Sequence, residues 1–417
     1  MKILHAPHAY APVRGGAELQ CQRVGEELVK RGLDVQVLTT NVGSVEAYYR
    51  FGIPPVRAVE RERLHGVDVV RMDFGGWVYA HAGRLVEAVP WRGVRARSTA
   101  YLRQRIRRQF FCRLDRAIRQ YSPDVVIALP HLVVNVLAVL AAHRTQQFPL
   151  VMLPMLHEES PDWDLDAMKQ ALTQADAVMA NTRFEQHRLE HAYDVPKERI
   201  FLGGSGVDLP SSRTDRRPSA TVLFLGRKAA SKGIPLLIDA MRRVWMSRPD
   251  VQLCIAGART ADTPAIEAQV ADLPGPMRSR VRMPENMSEA DKLALLGSAA
   301  CLVLPSKVES LGIVLLEAWA SQVPVVTLDL PVFRSTVTPG RDGLLAKPDP
   351  TDLAGAILRL LNHPHEAAAM GQVGYDKVVE HYAWEKVAAR YEQAYRYAAE
   401  HPRGRAARAR GLSRAPI

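Results

Sequence analysis

Two glutamates separated by seven residues, Glu309 and Glu317, could do chemistry in the segment CLVLPSKVESLGIVLLEAWASQVPVVTL at residues 301–328. Glu309 follows an apolar run, and Glu317 lies within a helix-like run, roughly 12 Å further along its axis at about 1.5 Å per residue. A carboxylate in an apolar helix needs a polar partner if it is buried, and a ribose diol offers two hydroxyl donors. The residues alone are equally consistent with the plain alternative, in which Glu317 faces solvent and Glu309 lies in an ordinary loop.

Two cations, Arg227 and Lys232, lie in the run GRKAASKGIPLLIDAM between an apolar stretch and a helix-like stretch. Fixed cations beside a helix N-terminus can hold a diphosphate. The pattern G-x-x-x-x-G-K-[ST] is absent, so this is not a Walker loop. A basic surface loop is the plain alternative in so basic a chain.

Three further residues stand at the predicted edge of a sheet. Gly15 and Gly16 open the first predicted helix, where glycine lets a backbone approach a ligand and leaves amides facing it. An ordinary turn is an equal alternative for these two glycines. His157 follows a predicted strand, and both of its protonation states are accessible near neutral pH.

Short apolar runs that alternate with helical patterns must position these side chains. This rhythm predicts βαβ units and parallel sheets, whose ligands bind at the carboxyl ends of the strands. The predicted strands are residues 2–5, 35–39, 67–72, 124–129, 148–153, 177–180, 221–225, 251–256, 281–287, 301–305 and 323–328.

A length of 417 residues is too great for one ordinary core, so two α/β domains are expected. The polar run LPSSRTDRRPSA at 209–220 reads as a linker. We therefore predict an N-terminal domain at 1–208 and a C-terminal domain at 209–380. A helix at 381–398 follows, and then a disordered basic tail at 399–417 with five arginines.

The bulk composition is that of a soluble globular protein, with 47% hydrophobic and 24% charged residues. No apolar run reaches the roughly 20 residues that span a bilayer, and MKILHAPHAY lacks the apolar core of a signal peptide. We therefore expect a cytoplasmic protein. The four cysteines lack metal-ligand spacing and are expected to be buried free thiols.

The net charge of +11 favours anionic partners. Residues 92–121 contain ten arginines and one acidic residue, with an apolar residue at every fourth position from Leu102 to Ile118. This spacing predicts a helix that packs its apolar stripe on the domain core. The arginine excess favours contact with an anionic membrane or another polyanion. In a cytoplasmic protein the membrane contact would be peripheral, on the inner face.

The segment PSKVESLGIVLLEAWASQVPVV resembles the E-x7-E signature of the retaining glycosyltransferases of family four, also called glycosyl transferases group 1. GRKAASKG is similar to the family's GR-x(n)-KG pattern, and GGAE to its N-terminal GG[AV]E-like loop. IFLGGSGVD and GRDGLLAKP also resemble family stretches. The resemblance implies the GT-B fold, with two Rossmann-like, doubly wound domains facing a central cleft. The first domain would be the acceptor side, the second would bind the nucleotide sugar, and the helix at 381–398 would cross back to the first domain.

The resemblance also implies roles for individual residues. Glu309 would lie by the donor sugar, Glu317 by the nucleotide ribose, and His157 by a sugar hydroxyl. The implied catalytic residues are His157, Glu309, Arg227 and Lys232. The implied donor-binding residues are Gly15, Gly16, Arg227, Lys232, Glu309, Ser310, Leu311, Gly312 and Glu317. The implied partners are a UDP-, GDP- or ADP-sugar donor and a hydroxyl acceptor, for which a lipid-linked molecule is one candidate.

No metal or other cofactor is expected, because lysine, arginine and amides can neutralise a diphosphate. Nucleic acid is not expected either, since no recognised motif supports it. Two departures from the family pattern stand out: Arg259 replaces a glycine, and Ser335 in LDLPVFRSTVT stands where glutamate is usual. A sugar-nucleotide epimerase of the same architecture and a non-catalytic, membrane-associated GT-B protein are the alternative functions.

Overall fold

A computed structural model describes the protein at residues 1–13, 15–42, 60–74, 92–130, 133–156, 165–210 and 219–403, and for 92–103 and 165 it describes only the backbone. These residues form two α/β domains, each built around its own twisted sheet. The predicted boundary at 208/209 stays a prediction.

Within the described residues, the N-terminal sheet has eight strands in the spatial order β3-β4-β2-β1-β5-β6-β7-β8. Neighbouring strands are parallel except β3 and β4, which are antiparallel. The strands are β1 (Lys2–Ala6), β2 (Asp34–Thr40), β3 (Arg61–Leu64), β4 (Val67–Met72), β5 (Val125–Ala128), β6 (Leu150–Met152), β7 (Ala177–Ala180) and β8 (Ile200–Leu202).

The C-terminal sheet has six described strands in the order β11-β10-β9-β12-β13-β14, and all of its pairs are parallel. Its strands are β9 (Thr221–Leu225), β10 (Gln252–Ala256), β11 (Val281–Arg282), β12 (Cys301–Leu304), β13 (Val325–Leu328) and β14 (Gly343–Ala346). The predicted parallel sheets are thus confirmed. The largest difference in length is at 281–287, where only two residues are in a strand.

Helices connect the strands and cover the sheets. In the described residues they are α1 (Gly16–Lys30), α2 (Arg92–Tyr121), α3 (Val134–Gln146), α4 (Leu165–Gln174), α5 (Arg183–His191), α6 (Ile234–Ser247), α7 (Thr263–Ala271), α8 (Gly275–Arg278), α9 (Glu289–Ser298), α10 (Ile313–Ala320), α11 (Pro331–Arg334), α12 (Pro350–Asn362), α13 (Pro364–His381) and α14 (Trp384–Glu400), with 3-10 turns at Lys197–Arg199 and Ala230–Lys232.

Alternation along the strands builds a core on each face of the N-terminal sheet. Ile3 belongs to one hydrophobic cluster and Leu4 to the other, and Val125 and Val126 divide in the same way. Strands such as β5 and β12 are buried at every position. This burial explains their continuous apolar sequences, because helices cover both faces of a parallel sheet.

Helix α2 packs as its spacing predicts. Ile106, Phe110, Leu114 and Ile118 are all buried against the N-terminal core, whereas the side chain of Leu102 lies outside the described residues. The apolar stripe therefore serves the core, and the arginines whose side chains are described lie outside the stripe.

The last helix differs from the predicted 381–398. His381 ends α13, Ala383 has extended backbone and pairs with Val207, and α14 runs from Trp384 to Glu400. The backbone N–H of Arg403 donates to Asp176 at 2.6 Å. The start of the predicted disordered tail is therefore ordered, and 404–417 lie outside the described residues. Helix α14 packs on the N-terminal domain, with Tyr391 and Tyr395 buried there.

The cysteine prediction needs one correction. Cys21, Cys254 and Cys301 are buried free thiols, but Cys112 is exposed. Cys112 is not one of the α2 residues that form the buried stripe, so helical periodicity places it towards solvent.

Candidate active site

The central contact of the site joins two motifs that are 77 residues apart. The Lys232 ammonium donates to Glu309 Oε1 at 2.5 Å and to the Val308 carbonyl at 3.3 Å. The two side chains are only 17% and 14% exposed. Both lie just beyond the carboxyl ends of neighbouring strands, β9 and β12. The fold therefore brings together the cation and the carboxylate that the sequence predicts at this edge.

Gly233 makes this approach possible. It has a φ of +75°, and a Cβ atom there would lie 1.9 Å from the Pro305 carbonyl oxygen. Only glycine tolerates both the left-handed backbone and the contact. Gly233 thus holds the Lys232 turn against the loop that follows β12.

Ser310, Leu311 and Gly312 link this loop to helix α10. Gly312 is the N-cap of α10, with a φ of +80°, and Leu311 is buried in the domain core. Three of the implied donor-binding residues thus lie at the start of the helix that carries Glu317. The first amides of a helix lack intrahelical partners and can donate to an anion.

The start of α1 lies opposite the start of α10, across the cleft between the domains. A Cβ atom at Gly16 would lie 3.1 Å from Ile313 Cδ1. A Cβ at Gly15 would lie 2.1 Å from Glu18 Oε2, so the Glu18 carboxylate folds back over the glycine pair. The tertiary structure therefore brings Gly15 and Gly16 to the E-x7-E helix.

Sequence reasoning did not find the partner of Glu18. His8, which follows β1, contacts Glu18 Oε1 at 2.9 Å, and both side chains are largely buried. Burial alone would raise the pKa of Glu18, but the hydrogen bond and charge of His8 outweigh it, so the pKa lies below its usual value. Arg227 of the other domain acts in the same direction. The positive charge of Arg227 therefore acts on a carboxylate on the N-terminal side of the cleft.

Glu317 also has a partner that its own helix does not reveal. Lys292 of α9 donates to Glu317 Oε1 at 2.8 Å. Burial raises the pKa of Glu317, and Lys292 opposes this rise. The i±4 neighbours of Glu317 on its own helix include no cation. The sequence pattern therefore gave no sign of Lys292, which comes from another helix. The solvent-facing alternative for Glu317 is excluded, since its side chain is only 15% exposed.

Glu317 and Lys292 line a cavity of about 250 Å³ between the domains. Leu19 and Arg23 of α1 and Trp384 of α14 line one side, and residues of α9 and α10 line the other. The segment 206–210 between the domains also lines the cavity. The cavity is therefore a cleft feature to which both domains contribute.

Lys228, which follows Arg227 in the sequence, has a structural role. Its side chain is fully buried and donates to the Met283 carbonyl at 2.8 Å and to Glu285 at 3.0 Å. Glu285 also accepts from Arg259 at 2.9 Å. Lys228 and Arg259, which replaces the family glycine, thus tie the loops after β9, β10 and β11 to one another.

The atypical loop after β13 forms helix α11. Asp329 pairs with Arg334 at 2.5 Å, and the Ser335 hydroxyl donates to the Val332 carbonyl at 2.6 Å. Ser335 therefore closes the end of this short helix, at the position where the family usually has glutamate.

His157 lies outside the described residues. The preceding residue, Leu156, donates its backbone N–H to the buried Glu185 at 2.7 Å. Burial raises the pKa of Glu185 to about 7, against the effect of backbone donors from Asn181 and Leu156. The predicted role of His157 stays a prediction, as do the roles of the other site residues.

None of the helices in the described residues is long and apolar enough to cross a membrane. No group of three or more His, Cys, Asp or Glu among those residues could hold a metal ion.

Two family models and several relatives match the chain. The model "Glycosyltransferase Family 4" matches residues 14–210, and "Glycosyl transferases group 1" matches residues 212–377. Phosphatidyl-myo-inositol mannosyltransferase of Mycobacterium tuberculosis is 38% identical over 162 residues, or 37% of this chain and 41% of that protein. Alpha-maltose-1-phosphate synthase of Mycolicibacterium smegmatis is 34% identical over 212 residues, or 48% and 51%. The alignments thus span about half of these relatives or less.

Solved structures match over nearly the whole chain. Sucrose-phosphate synthase from Thermosynechococcus elongatus has a TM-score of 0.73 at 21% identity, covering 95% of this chain and 98% of that one. HepE of Anabaena, solved with UDP-glucose, has a TM-score of 0.67 at 17% identity, with the same coverage. At such identities the likeness shows the fold. The two family models together span both halves of the described architecture, and the chain belongs to the group 1 glycosyltransferases, with the GT-B fold.

Proposed function

We propose that the protein is a retaining glycosyltransferase that moves a sugar from a UDP-, GDP- or ADP-sugar to a hydroxyl acceptor. The observation that carries this proposal is the 2.5 Å contact of Lys232 with Glu309, at the carboxyl edge of the C-terminal sheet. A cation and a sugar-orienting carboxylate at one point of a cleft suit a glycosyl diphosphate, which has an anionic and a hydroxyl-bearing part.

The chemistry follows from where charge develops. The bond from the sugar C1 to the diphosphate oxygen breaks, and negative charge grows on the leaving group. Lys232, Arg227 and the amides at the start of α10 stabilise that charge. The acceptor oxygen bonds to C1 on the face that the diphosphate leaves, and its proton passes to the departing diphosphate oxygen. Glu309 orients the sugar during this step, and His157 contacts one of its hydroxyls.

We propose that this reaction needs no metal ion. A diphosphate leaving group must be neutralised by some positive charge, and many enzymes use Mg²⁺ for this purpose. Lys232, held by Glu309, and the exposed Arg227 provide two positive charges at the cleft instead. Activity that survives a chelator would support this statement, and activity restored only by a divalent cation would contradict it.

Nucleotide binding is the first test. UDP, GDP and ADP are added to wild type and to Lys232→Ala, and the melting temperature is measured. A ligand that binds only the folded state stabilises it by about 2.7 kcal/mol at a hundredfold excess over Kd. We expect one nucleotide to raise the melting temperature of wild type and not of the variant. Absence of any shift in wild type would contradict the donor site.

Turnover then separates the candidate reactions. The sugar nucleotide that matches the bound base is incubated with and without simple alcohol acceptors, and NMR of the product gives its anomeric configuration. Transfer with the donor's configuration supports the proposal, and transfer with inversion contradicts retention. An isomerised sugar nucleotide formed without acceptor would identify an epimerase. Binding without turnover would favour a non-catalytic GT-B protein.

The acceptor is proposed to be presented at an anionic membrane. Among the described side chains of α2, five arginines are exposed on the side away from its buried stripe: Arg105, Arg108, Arg113, Arg116 and Arg119. Each basic residue near an anionic surface contributes about 1 kcal/mol. One relative is named for phosphatidyl-myo-inositol, a lipid. We therefore favour a lipid-linked or cell-envelope acceptor and a peripheral position on the inner membrane face.

Vesicle sedimentation tests this surface. We expect binding to vesicles with phosphatidylglycerol but not to pure phosphatidylcholine, and weaker binding as salt screens the charges. A variant with Arg105, Arg108 and Arg116 changed to glutamine should lose binding while keeping nucleotide affinity. Equal binding by the variant would contradict the α2 surface.

A further inference from the structure

We propose that Lys292 is a positioning residue for the donor nucleotide, because it holds Glu317 as a charged and oriented carboxylate at the wall of the interdomain cavity. This inference rests on the proposed function, since it takes Glu317 as the group that accepts the ribose hydroxyls. Lys292 lies outside both sequence motifs, and its proposed effect on ribose recognition can be measured.

The geometry of Lys292 suits this role. Its Nζ atom contacts Glu317 Oε1 at 2.8 Å and Glu289 at 2.7 Å. The lysine is 23% exposed and Glu317 15%, so the pair is well shielded from water. Glu317 lies in the apolar helix IVLLEAWA, which provides no cation of its own. A buried carboxylate without a partner is strongly unfavourable, and Lys292 supplies that partner from α9.

The other charges around Glu317 increase the importance of Lys292. Glu289 of α9 and Asp208 of the interdomain segment are both acidic and disfavour a charged Glu317. Arg23 of α1 lines the same cavity but pairs with Asp208 at 2.7 Å and Glu26 at 3.0 Å. Among the described residues, Lys292 is therefore the cation that directly bonds Glu317.

Glu317 keeps capacity for a ligand while it is bonded to Lys292. An ionised carboxylate has about four acceptor positions on its two oxygens, and Lys292 bonds to Oε1. The side chain also lines the 250 Å³ cavity. A ribose diol in that cavity could donate to a carboxylate whose orientation Lys292 has already set. Such preorganisation lowers the cost of ordering the site upon binding.

Loss of Lys292 should raise the pKa of Glu317. Burial raises the pKa of Glu317, and Lys292 acts against this effect. Without the lysine, the pKa of Glu317 rises further, and the carboxylate takes up a proton at a higher pH than in wild type. The neutral form is a poorer acceptor for two hydroxyls. Ribose recognition should therefore weaken as pH falls, and it should do so earlier in the variant.

The test compares a nucleoside diphosphate with its 2′,3′-dideoxy analogue by titration calorimetry between pH 5.5 and 8. The probe is whichever of UDP, GDP or ADP binds wild type. We expect wild type to prefer the natural nucleotide by about tenfold, as a charge-assisted hydrogen bond would give. In Lys292→Met this preference should shrink at pH 8 and disappear towards pH 5.5, with the dideoxy analogue bound as before. A lysine that only stabilised the fold would not change selectivity between the two ligands.

Two variants make the result decisive. Lys292→Arg keeps the cation and should retain much of the preference. Lys30→Met removes the lysine of an exposed pair with Glu27, in which Lys30 is 69% exposed, and should behave as wild type. If wild type discriminates between the ligands and Lys292→Met keeps both that preference and its pH profile, the role of Lys292 is wrong. If no nucleotide binds wild type, the donor site itself fails.

Discussion

The two faces of the interdomain cleft are built in different ways. On the C-terminal face, Arg227 and Lys232 follow β9 and Glu309 follows β12, so these three groups come from strand-to-helix connections, and Glu317 lies on the helix after Glu309. On the N-terminal face, His8 reaches Glu18 from the loop after β1. Recognised motifs therefore supply all four groups of the first face, whereas the second face includes His8, which belongs to no motif.

The N-terminal face also depends on the end of the chain. Gln20 of α1 contacts Asn181 at 2.9 Å, the Gly204 carbonyl at 2.8 Å and the Tyr391 hydroxyl at 2.5 Å, all in the buried interior. Tyr391 belongs to α14, the last helix. The C-terminal face should therefore be sensitive to single motif changes, whereas the N-terminal face should be sensitive to its packing.

The largest expected effect is on the C-terminal face. Lys232→Ala should lower sugar transfer about a hundredfold to a thousandfold, because it removes a donor aimed at the developing charge of the leaving group. Steady-state kinetics with saturating acceptor would measure this. Lys307→Ala changes an exposed lysine just before the Glu309 turn and is the matched control. Its transfer rate should stay close to that of wild type. Similar losses in both variants would show that charge near the loop, not the Lys232 position, matters.

The second effect concerns stability of the N-terminal face and its pH dependence. Glu185 is buried with a pKa raised to about 7, from an ordinary value of 4.5. Its contribution to stability is complete below pH 4.5 and is lost as pH rises through 7. The free energy of unfolding should therefore fall by about 3 kcal/mol over that range because of this group.

Denaturant titrations of wild type and Glu185→Gln at several pH values would measure the difference between their slopes. The glutamine has no such proton to lose, so its stability should vary less between pH 4.5 and 7.5. Parallel slopes for the two proteins would refute the assignment of this titration to Glu185.

The third effect tests how closely the faces meet. Gly16→Val should lower transfer by about tenfold, because its side chain would meet Ile313 and displace the two helix starts by a fraction of an ångström. The double variant Gly16→Val/Ile313→Ala restores space and should recover part of the rate. If the second change gives no recovery, the loss does not come from this contact.

The smallest effect is expected at His8. Changing His8 to Ala removes the hydrogen bond that lowers the pKa of Glu18, so Glu18 should protonate at a higher pH. We expect transfer to fall about fivefold, with the loss greatest at low pH, and nucleotide affinity to stay the same. Rates and affinities measured across pH 5.5 to 8 would show this. A matching loss of nucleotide affinity would place His8 on the donor side instead.

Much of the fold could be predicted because its elements are regular. The predicted strand at 301–305 is β12, residues Cys301–Leu304, and the apolar stripe of α2 packs on the core. The end of the chain was harder to predict, because 381–398 reads as one amphipathic helix. At the break, Ala383 pairs with Val207, a residue far away in the sequence.

The sequence by itself determined the family, the parallel sheets and the motif residues of the C-terminal face, because strand, loop and helix signals are local and their order defines a sheet edge. The tertiary structure alone decided the partners of those residues. Lys292 reaches Glu317 from another helix, His8 reaches Glu18 from the loop before its helix, and Gly16 meets Ile313 from another domain. The physical reason is that charge pairing and close approach depend on distance in space, which the spacing of residues along one element does not specify.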